Sequence, residues 1–343
     1  MLLTAVSMRT CWVLDHPAHV RLLAPFLRAG QSDDVLIATQ RHEVERLLEH
    51  GDGHIPRRQI HWVERPVGDS RRKKALARWR SSHRFLRQCN EHGAPIQRIV
   101  TIGAPLELMA WKSPFLRRKI KSITERWYIT DTEVNHTAHT LALKSATDVV
   151  LPTHWDGSLD DGFSSSLKGI RLHRLDGVHG HVHLRPGQRP SAVSQPPRVL
   201  VRRLVGNGVH DEDELLELPD NMLDGLQITT ADEEHYDGDP WRLDRELAAH
   251  DAVITQSVTL ASEAVLLGTP TLLLSKAERG FLERLESEGH PLFRWKTACE
   301  GEQWDNMHAQ FLTGIHLTDA LEPEEWPNAR QHMAQLLAME LID

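Results

Sequence analysis

Short apolar runs alternate with longer segments of helical spacing through the first half of the chain. Each run has the length of a buried strand, and the segment after it repeats apolar residues at helical intervals. We predict strands at Cys11–Leu14, Val35–Ala38, Arg98–Thr101, Trp127–Ile129 and Asp148–Leu151. We predict helices at Ala18–Arg28, Glu43–His50 and Arg72–His92, and a further one between the last two strands. This alternation indicates a parallel sheet with helices on both faces.

The pattern is interrupted by a proline-rich stretch and then restarts. Four prolines fall within residues 186–197, and proline removes backbone donors and disfavours helix before it. Beyond it we predict strands at Arg198–Val201, Leu226–Thr229, Ala252–Thr255 and Thr271–Leu274, and helices at Asp211–Leu218, Leu243–Ala249, Thr259–Leu267 and Trp326–Leu341. The predicted domains are residues 1–185 and 198–325, joined by a linker at 186–197 and followed by a C-terminal helix within 326–343.

The composition fits a globular protein of two domains. The chain has 343 residues, of which 40% are hydrophobic and 26% are charged. Its three cysteines are far apart in sequence and show no metal spacing, which is typical of a reducing compartment. No signal pattern and no apolar run of transmembrane length is present. We therefore expect a soluble, cytoplasmic protein.

Charge is distributed unevenly between the two halves. Residues 1–150 carry 24 basic and 15 acidic side chains, whereas residues 151–343 carry 16 and 33. The basic half contains two dense clusters, Arg71–Lys74 and Arg117–Lys121. Such clusters are either solvated helix faces or a docking surface for anionic lipid or a phosphorylated acceptor. No nucleic-acid-binding motif accompanies them, so we expect no nucleic-acid partner, and a peripheral contact with an anionic membrane stays open.

The stretch after the predicted strand Ala252–Thr255 carries the most specific chemistry. Hydroxyl side chains, Ser257 and Thr259, stand where a helix begins, and free N–H groups at a helix start suit a phosphate. Glu263 follows one helical turn later, where its carboxylate suits a ribose diol. The alternative is a capped helix with a surface glutamate.

This stretch also carries a family resemblance. Ser257–Pro270 resembles the pattern Ser/Gly-Gly-Thr-Met-x-x-Glu-Ala-Ala-x-Leu-Gly-x-Pro of domain-of-unknown-function family 354. That family is similar to GT-B glycosyltransferases and to non-hydrolysing sugar-nucleotide 2-epimerases. Further segments that resemble it in the same order are Asp15–Val20, Thr130–Glu133, Val201–Arg202 with His210–Asp211 downstream, and Arg279–Glu286 leading to Leu292–Phe293. The likeness covers roughly residues 12–295, through motifs that are short individually.

The resemblance implies a fold and a function. The fold is α/β and GT-B-like, with two Rossmann-like parallel-sheet domains facing a central cleft. The function is transfer of a sugar from a nucleotide-sugar donor to an unknown acceptor, without metal or other cofactor, because a helix dipole and an arginine stabilise the departing diphosphate. The alternatives are a nucleotide-sugar epimerase and a non-catalytic nucleotide-sugar-binding protein.

One departure from the family pattern bears on that choice. Val258 stands where the family has glycine, and Gln256 occupies a position that is acidic or glycine in the family. Glycine lets a backbone approach phosphate closely, whereas valine does this poorly. The departure favours looser phosphate binding and keeps a non-catalytic role open.

The predicted acceptor side begins in the turn after the first strand. Asp15 and His16 precede His19, which we predict to be the general base, since imidazole titrates near neutral pH. Asp131 follows a later strand and is predicted to orient His19, although it alternatively caps the next helix. Glu133, in the same loop, is a further cleft candidate.

Other candidates complete the prediction. Arg202 ends a strand and is the expected pyrophosphate clamp, with its neighbour Arg203 as the alternative. His210 is a further acceptor-side candidate. The alternating histidines of residues 179–183 would share one face of a strand, but without a fourth ligand we predict no metal site there.

Overall fold

The chain folds into two compact units in a computed structural model. The structure describes residues 8–49, 55–64, 70–112, 118, 121–185, 192–204, 215–232, 236–316 and 326–341. The N-terminal unit comprises Met1–His183 and Asn328–Asp343, and the C-terminal unit comprises Leu184–Pro327. No helix in those described residues is long and apolar enough to cross a membrane.

The N-terminal unit is built on a seven-stranded parallel sheet. Its strands are β1 (Thr10–Leu14), β2 (Val35–Thr39), β3 (Gln59–Val63), β4 (Arg98–Ile102), β5 (Glu125–Ile129), β6 (Asp148–Pro152) and β7 (Arg171–Leu175). They lie in the order β3-β2-β1-β4-β5-β6-β7. Every residue of β1, β2 and β4 is buried, as expected for central strands covered on both faces.

Helices connect these strands. They are α1 (Pro17–Ala29), α2 (His42–Glu49), α3 (Arg71–His92), α4 (His136–Leu143) and α5 (Gly180–His183), with 3₁₀ turns at Pro105–Lys112 and Ser164–Ser166. The chain runs from β1 outward through β2 and β3, and then returns to β4 on the other side of β1. This reversal places a switch point between the carboxyl ends of β1 and β4, where open α/β sheets bind ligands.

The C-terminal unit has a five-stranded parallel sheet. Its strands are β8 (Arg198–Arg202), β9 (Gln227–Thr230), β10 (Ala252–Thr255), β11 (Thr271–Leu274) and β12 (Leu292–Trp295), in the order β12-β11-β10-β8-β9. Its helices are α6 (Leu243–Ala249), α7 (Val258–Leu266), α8 (Gly280–Ser287) and α9 (Glu302–His316), with a 3₁₀ turn at Asp220–Leu223. The switch point lies between β8 and β10. The predicted class, two parallel-sheet α/β domains, is confirmed.

Several predicted boundaries differ from the structure. The edge strands β3 and β7 were not predicted, since most of their side chains are only partly buried or exposed and their sequences mix polar with apolar residues. Of the helix predicted at Asp211–Leu218, residues 211–214 lie outside the described residues. Residues 215–218 are not helical, and Leu215 instead forms an isolated antiparallel bridge with Ser275.

The last helix, α10 (Ala329–Leu336), is shorter than predicted and belongs to the N-terminal unit. It contacts α5 and β7. Nε of Arg330 donates to the carbonyl of Val182 at 2.8 Å, and Nη1 of Arg98 donates to the carbonyl of Leu337 at 2.6 Å. The end of the described chain thus completes the unit in which the chain begins.

Candidate functional site

A charged network lies at the carboxyl ends of β1 and β2. Asp15 directly follows β1, and its carboxylate accepts hydrogen bonds from Thr39 at the end of β2 and from Arg78 of α3. Nε of Arg78 also donates to Glu107 at 2.8 Å, and the hydroxyl of Ser82 donates to the same Glu107 oxygen at 3.0 Å. One guanidinium therefore holds two carboxylates from different strand ends, close to the switch point.

This network keeps Asp15 ionised. Burial by itself would raise the pKa of Asp15, but the charge of Arg78 and the hydrogen bond from Thr39 outweigh it and lower the pKa to about 2. The same two carboxylates raise the pKa of Arg78, although burial opposes the shift. Asp15 is accordingly a fixed anion at neutral pH, which suits positioning rather than proton exchange.

The two histidines of the β1–α1 turn are held by backbone N–H groups. Nδ1 of His16 accepts from the N–H of Ala18 at 3.2 Å and so caps α1. Nδ1 of His19 accepts from the N–H of Asp15 at 3.3 Å. A ring nitrogen that accepts an N–H bond carries a lone pair, so the neutral imidazole of His19 has its hydrogen on Nε2.

The electrostatics of His19 differ from those of the predicted base. Burial lowers its pKa to about 4, with Asp15 and Asp131 opposing the shift and with His179 and Arg41 adding to it. The imidazole is therefore neutral at pH 7, and Nε2 is a hydrogen-bond donor. The role of His19 as general base stays a prediction, and in this geometry its Nε2 carries the hydrogen of the neutral ring.

Asp131, after β5, interacts with a histidine other than the predicted one. One carboxylate oxygen lies 2.9 Å from Nδ1 of His179, and the hydroxyl of Thr132 donates to the other oxygen at 3.2 Å. Burial would raise the pKa of Asp131, but its interactions with His179 outweigh this and lower the pKa to about 2. Nδ1 of His19 itself accepts from the backbone N–H of Asp15, and the charge of Asp131 raises the pKa of His19 against the effect of burial. Asn135, and not Asp131, is the N-cap of the helix that follows.

Glu133 is fully buried, and one of its carboxylate oxygens accepts from the N–H of Asp156 at 3.2 Å. It therefore joins the loop after β5 to the loop after β6. This contact lies inside the unit, and the assignment of Glu133 to a cleft stays a prediction.

The histidines of residues 179–183 do not share a strand face. His181 and His183 belong to the short helix α5, and Nδ1 of His181 accepts from the N–H of Val178 at 2.9 Å. His179 lies in the turn before that helix. In the part of the chain that the structure describes, no group of three or more His, Cys, Asp or Glu residues is arranged to hold a metal ion.

In the C-terminal unit, Arg202 stands at the end of β8 beside Thr255 of β10. Arg202 is buried, and its Nη1 donates to the carbonyl of Ala231 at 3.1 Å. Arg203 is more exposed, with Nη1 3.9 Å from a carboxylate oxygen of Asp232. Both arginines are therefore at the switch point, and each already has a partner within its own unit.

The start of α7 lies directly across from β8. Ser257 is the N-cap, and its hydroxyl accepts from the N–H of Leu260 at 3.3 Å, so the capping alternative describes this residue. Thr259 is exposed in the first turn, and Glu263 is buried one turn later. Ser257, Thr259 and Glu263 thus lie on the helix that follows β10, and Arg202 ends the neighbouring strand.

Gln256 connects two loops at this position. Its amide nitrogen donates to the carbonyl of Leu216 at 2.5 Å, and its amide oxygen accepts from the N–H of Leu204 at 2.9 Å. Val258 is the first residue of α7 and is half-buried. The two departures from the family pattern therefore lie close together at the start of α7. One of them, Gln256, is also hydrogen-bonded to Leu204 in the loop after β8.

Some predicted residues fall elsewhere. His210 lies outside the described residues, as does most of the cluster Arg117–Lys121. In the other cluster, Arg72 and Lys73 are exposed at the start of α3. The sequence indicates His179 only through its spacing from His181 and His183. Its pairing with Asp131 is a contact that sequence spacing does not reveal.

Comparison with known proteins supports the architecture. The chain has 11% identity and a TM-score of 0.63 to a putative UDP-N-acetylglucosamine 2-epimerase from Listeria monocytogenes, covering 97% of this chain and 96% of that one. It has 11% identity and a TM-score of 0.60 to the UDP-GlcNAc 2-epimerase of Methanocaldococcus jannaschii, covering 96% of this chain and 99% of that one. It has 11% identity and a TM-score of 0.54 to Arabidopsis thaliana UGT89C1 complexed with UDP-L-rhamnose, covering 96% of this chain and 98% of that one.

These likenesses show a GT-B-like fold. No family model matches the chain, and no curated protein is similar to it in sequence. The resemblance to family 354 therefore stays a prediction.

Proposed function

We propose that this chain binds a nucleotide sugar and transfers the sugar to an acceptor, as a metal-independent glycosyltransferase of the GT-B type. The observation that carries the proposal is the complementary chemistry of the two switch points. One presents a helix start with a hydroxyl side chain, which suits a diphosphate. The other presents imidazoles beside ionised carboxylates, and such imidazoles suit proton transfer. The fold likeness to proteins named for UDP sugars supports the same assignment.

The C-terminal unit is the proposed nucleotide side. The N–H groups at the start of α7 and the exposed hydroxyl of Thr259 would bind the diphosphate, and Ser257 would hold the helix start in place. Glu263 would accept hydrogen bonds from the ribose hydroxyls. Arg202, or the more exposed Arg203, would neutralise the departing diphosphate.

The N-terminal unit is the proposed acceptor side. Asp15, kept ionised by Arg78, fixes the β1–α1 turn through its backbone N–H bond to His19. His16 caps the helix that follows. His19 then donates from Nε2 to an oxygen of the ligand, and Asp131 contributes a negative charge to the same region.

An epimerase is the second candidate, because two of the compared structures are named as 2-epimerases. Such a reaction acts on one bound nucleotide sugar and uses no acceptor. The products separate the two candidates. Transfer releases free nucleotide diphosphate, whereas epimerisation returns an intact nucleotide sugar of altered stereochemistry.

A non-catalytic binding protein is the third candidate, favoured by Gln256 and Val258 at the helix start. The deciding experiment screens UDP, other nucleoside diphosphates and their sugars by calorimetry, and then analyses products after incubation with candidate acceptors. Binding with release of diphosphate supports the transferase. Binding without any product supports the third candidate, and absence of binding to every compound would exclude all three.

The proposed transfer needs no cofactor, because the dipole of α7 and an arginine would stabilise the diphosphate. Turnover should therefore be unchanged after dialysis against EDTA. A loss of turnover that Mg²⁺ restores would contradict this part of the proposal.

We also propose a peripheral contact with anionic membranes through the exposed basic face of α3. Arg72, Lys73, Arg80 and Arg84 are exposed on this helix, and Leu76 beside them is 45% exposed. Each cation near an anionic surface contributes about 1 kcal/mol. Sedimentation with phosphatidylserine vesicles should fall in a variant with Lys73, Arg80 and Arg84 changed to Glu, and equal binding to neutral vesicles would contradict the contact.

A further inference from the structure

Three histidines lie near the carboxyl ends of β1 and β5, and their Nδ1 atoms have different partners. His16 and His19 each accept a backbone N–H at Nδ1. Nδ1 of His179 instead lies 2.9 Å from a carboxylate oxygen of Asp131. The three rings therefore differ in which nitrogen carries the hydrogen, although they occupy one region of the unit.

The partner of Nδ1 determines the chemistry of Nε2. A backbone N–H can only donate, so the neutral rings of His16 and His19 carry their hydrogen on Nε2. An ionised carboxylate can only accept, so Nδ1 of His179 must be protonated, and the lone pair of its neutral ring is on Nε2. Within the described part of the chain no hydrogen bond occupies that Nε2 atom. Only the lone pair of His179 is thus available to accept a proton from a ligand.

Contacts between α5 and α1 bring His179 towards the β1–α1 turn. His179 directly precedes α5, and α5 contacts α1, on which His19 lies. The charge of Asp131 raises the pKa of His19, whereas that of His179 lowers it. The side chain of His179 is 13% exposed, so the ring is largely shielded while keeping access to solvent.

We propose that His179 is the catalytic proton acceptor of the N-terminal site, with Asp131 as its positioning residue and His19 as a hydrogen-bond donor beside it. The proposal rests on the proposed function for its substrate, an acceptor hydroxyl attacking the anomeric carbon of a nucleotide sugar. The hydroxyl oxygen forms its bond to that carbon while its proton passes to Nε2 of His179. The bond between the anomeric carbon and the diphosphate oxygen breaks, and the electron pair leaves with the diphosphate.

After proton transfer, the positive charge on His179 would be balanced by a nearby negative charge. His179 becomes an imidazolium whose charge faces the Asp131 carboxylate at 2.9 Å. Asp131 is already ionised at neutral pH, so no further proton transfer is required. The arrangement is that of a carboxylate that fixes an imidazole tautomer and stabilises its charged form.

The chain contains a matched control pair. Nε2 of His173 lies 2.9 Å from a carboxylate oxygen of Asp148, which also binds Arg171 at 2.7 Å. Asp148 is the first residue of β6, whereas Asp131 follows the last residue of β5. The two aspartates therefore lie at opposite ends of neighbouring parallel strands. A change of His173 removes an equivalent histidine–aspartate interaction away from the proposed site.

The first test measures tautomers and does not depend on turnover. Long-range ¹H–¹⁵N correlation spectra of histidine-labelled protein at neutral pH should show hydrogen on Nδ1 of His179 and on Nε2 of His19. Assignments come from the single variants His179→Gln and His19→Gln. Asp131→Ala should shift His179 towards the tautomer with hydrogen on Nε2. Hydrogen on Nε2 of His179 in the parent protein would overturn the proposal.

The second test uses the product assay. His179→Gln should lower turnover about 100-fold or more, the range for loss of a general base, while nucleotide affinity is unchanged. His19→Gln should lower turnover less, and His173→Gln should match the parent. Near-parent turnover in His179→Gln overturns the proposal. If the parent converts no nucleotide sugar, the proposed function fails, and the tautomer spectra still decide whether Nε2 of His179 carries the lone pair on which this proposal rests.

Discussion

The two units place polar side chains at the same topological position but handle charge differently. At the switch point of the N-terminal unit, Arg78 binds the carboxylates of Asp15 and Glu107, and each ionic group has a charged partner. At the switch point of the C-terminal unit, Arg202 donates to the carbonyl of Ala231, and the helix start carries a serine cap and the amide of Gln256. Parallel-sheet topology therefore fixes where a site lies, whereas the side chains decide whether its buried cation is bound by carboxylates or by a backbone carbonyl.

This difference indicates a division of labour. A preorganised ionic network holds the groups around a proton acceptor in defined charge states and positions, which a reacting site requires. A helix start supplies only partial positive charge, which becomes useful when the ligand brings its own negative charge. We therefore expect the stability of the N-terminal unit to depend on its own ion pairs. We expect the helix start of the C-terminal unit to act through the negative charge that a ligand brings.

The largest expected effect comes from removing the shared cation. Arg78→Met leaves Asp15 and Glu107 as unpaired carboxylates in a buried network, and breaking such a pair costs about 3–5 kcal/mol. Urea unfolding followed by hydrogen-exchange mass spectrometry would measure it in peptides of the N-terminal unit. The control Arg87→Met breaks an exposed pair with Glu91 and should cost less than about 1 kcal/mol. Equal stability of the two variants would refute the ionic description.

The next effect is a dependence of stability on pH. Burial lowers the pKa of His19 and of His139 from 6.5 to about 4, so the unfolded chain binds more protons between these values. Stability of the N-terminal unit should fall as pH drops through that window, by about 3 kcal/mol for each histidine. A second loss should follow from 3.8 to about 2, as Asp15 and Asp131 become protonated.

This prediction is checked by urea unfolding of the full chain at a series of pH values. His19→Gln should remove part of the loss between pH 6.5 and 4, because glutamine does not titrate. The second buried imidazole offers a comparison, and His139→Gln should remove a separate part of the same loss. A profile identical in parent and His19→Gln would show that the His19 imidazole titrates alike in folded and unfolded chains.

The C-terminal side is tested through Glu263. Glu263→Gln should weaken nucleotide binding by about 1.5–3 kcal/mol, the range for hydrogen bonds to a charged group. Calorimetry with UDP and other nucleotides measures this, and circular dichroism confirms that the buried position tolerates the change. Glu283→Gln, on the exposed face of α8, should bind as the parent does. Unchanged affinity in a folded Glu263→Gln protein would remove Glu263 from the proposed ribose site.

The sequence predicted the central strands better than the edges. Cys11–Leu14 and Val35–Ala38 are continuous apolar runs because both sheet faces are covered, and such runs are readily recognised. The edge strands β3 and β7 mix polar and apolar residues, since solvent or a single layer satisfies them. The edge strand β9 was nevertheless predicted although most of its residues are exposed, so burial alone does not decide which strands the sequence reveals.

The candidate site was predicted where its signal is local. The hydroxyl side chains at the start of α7 and the turn of Asp15 were identified because strand, turn and helix are consecutive in sequence. The bond between Asp131 and His179 joins loops after different strands, and the direction of the His19 hydrogen bond depends on turn geometry. Neither property is encoded in residue spacing.

The packing of α10 on the N-terminal unit has a consequence for synthesis. Residues 184–327 of the other unit lie between α5 and this helix, so 144 residues must be translated before α10 can appear. At ribosomal rates of about 5–20 residues per second, that interval is roughly 7–30 s. During it the surfaces of α5 and β7 that later contact α10 stay uncovered on the nascent chain. The last step of folding for the N-terminal unit is therefore timed by translation of its neighbour.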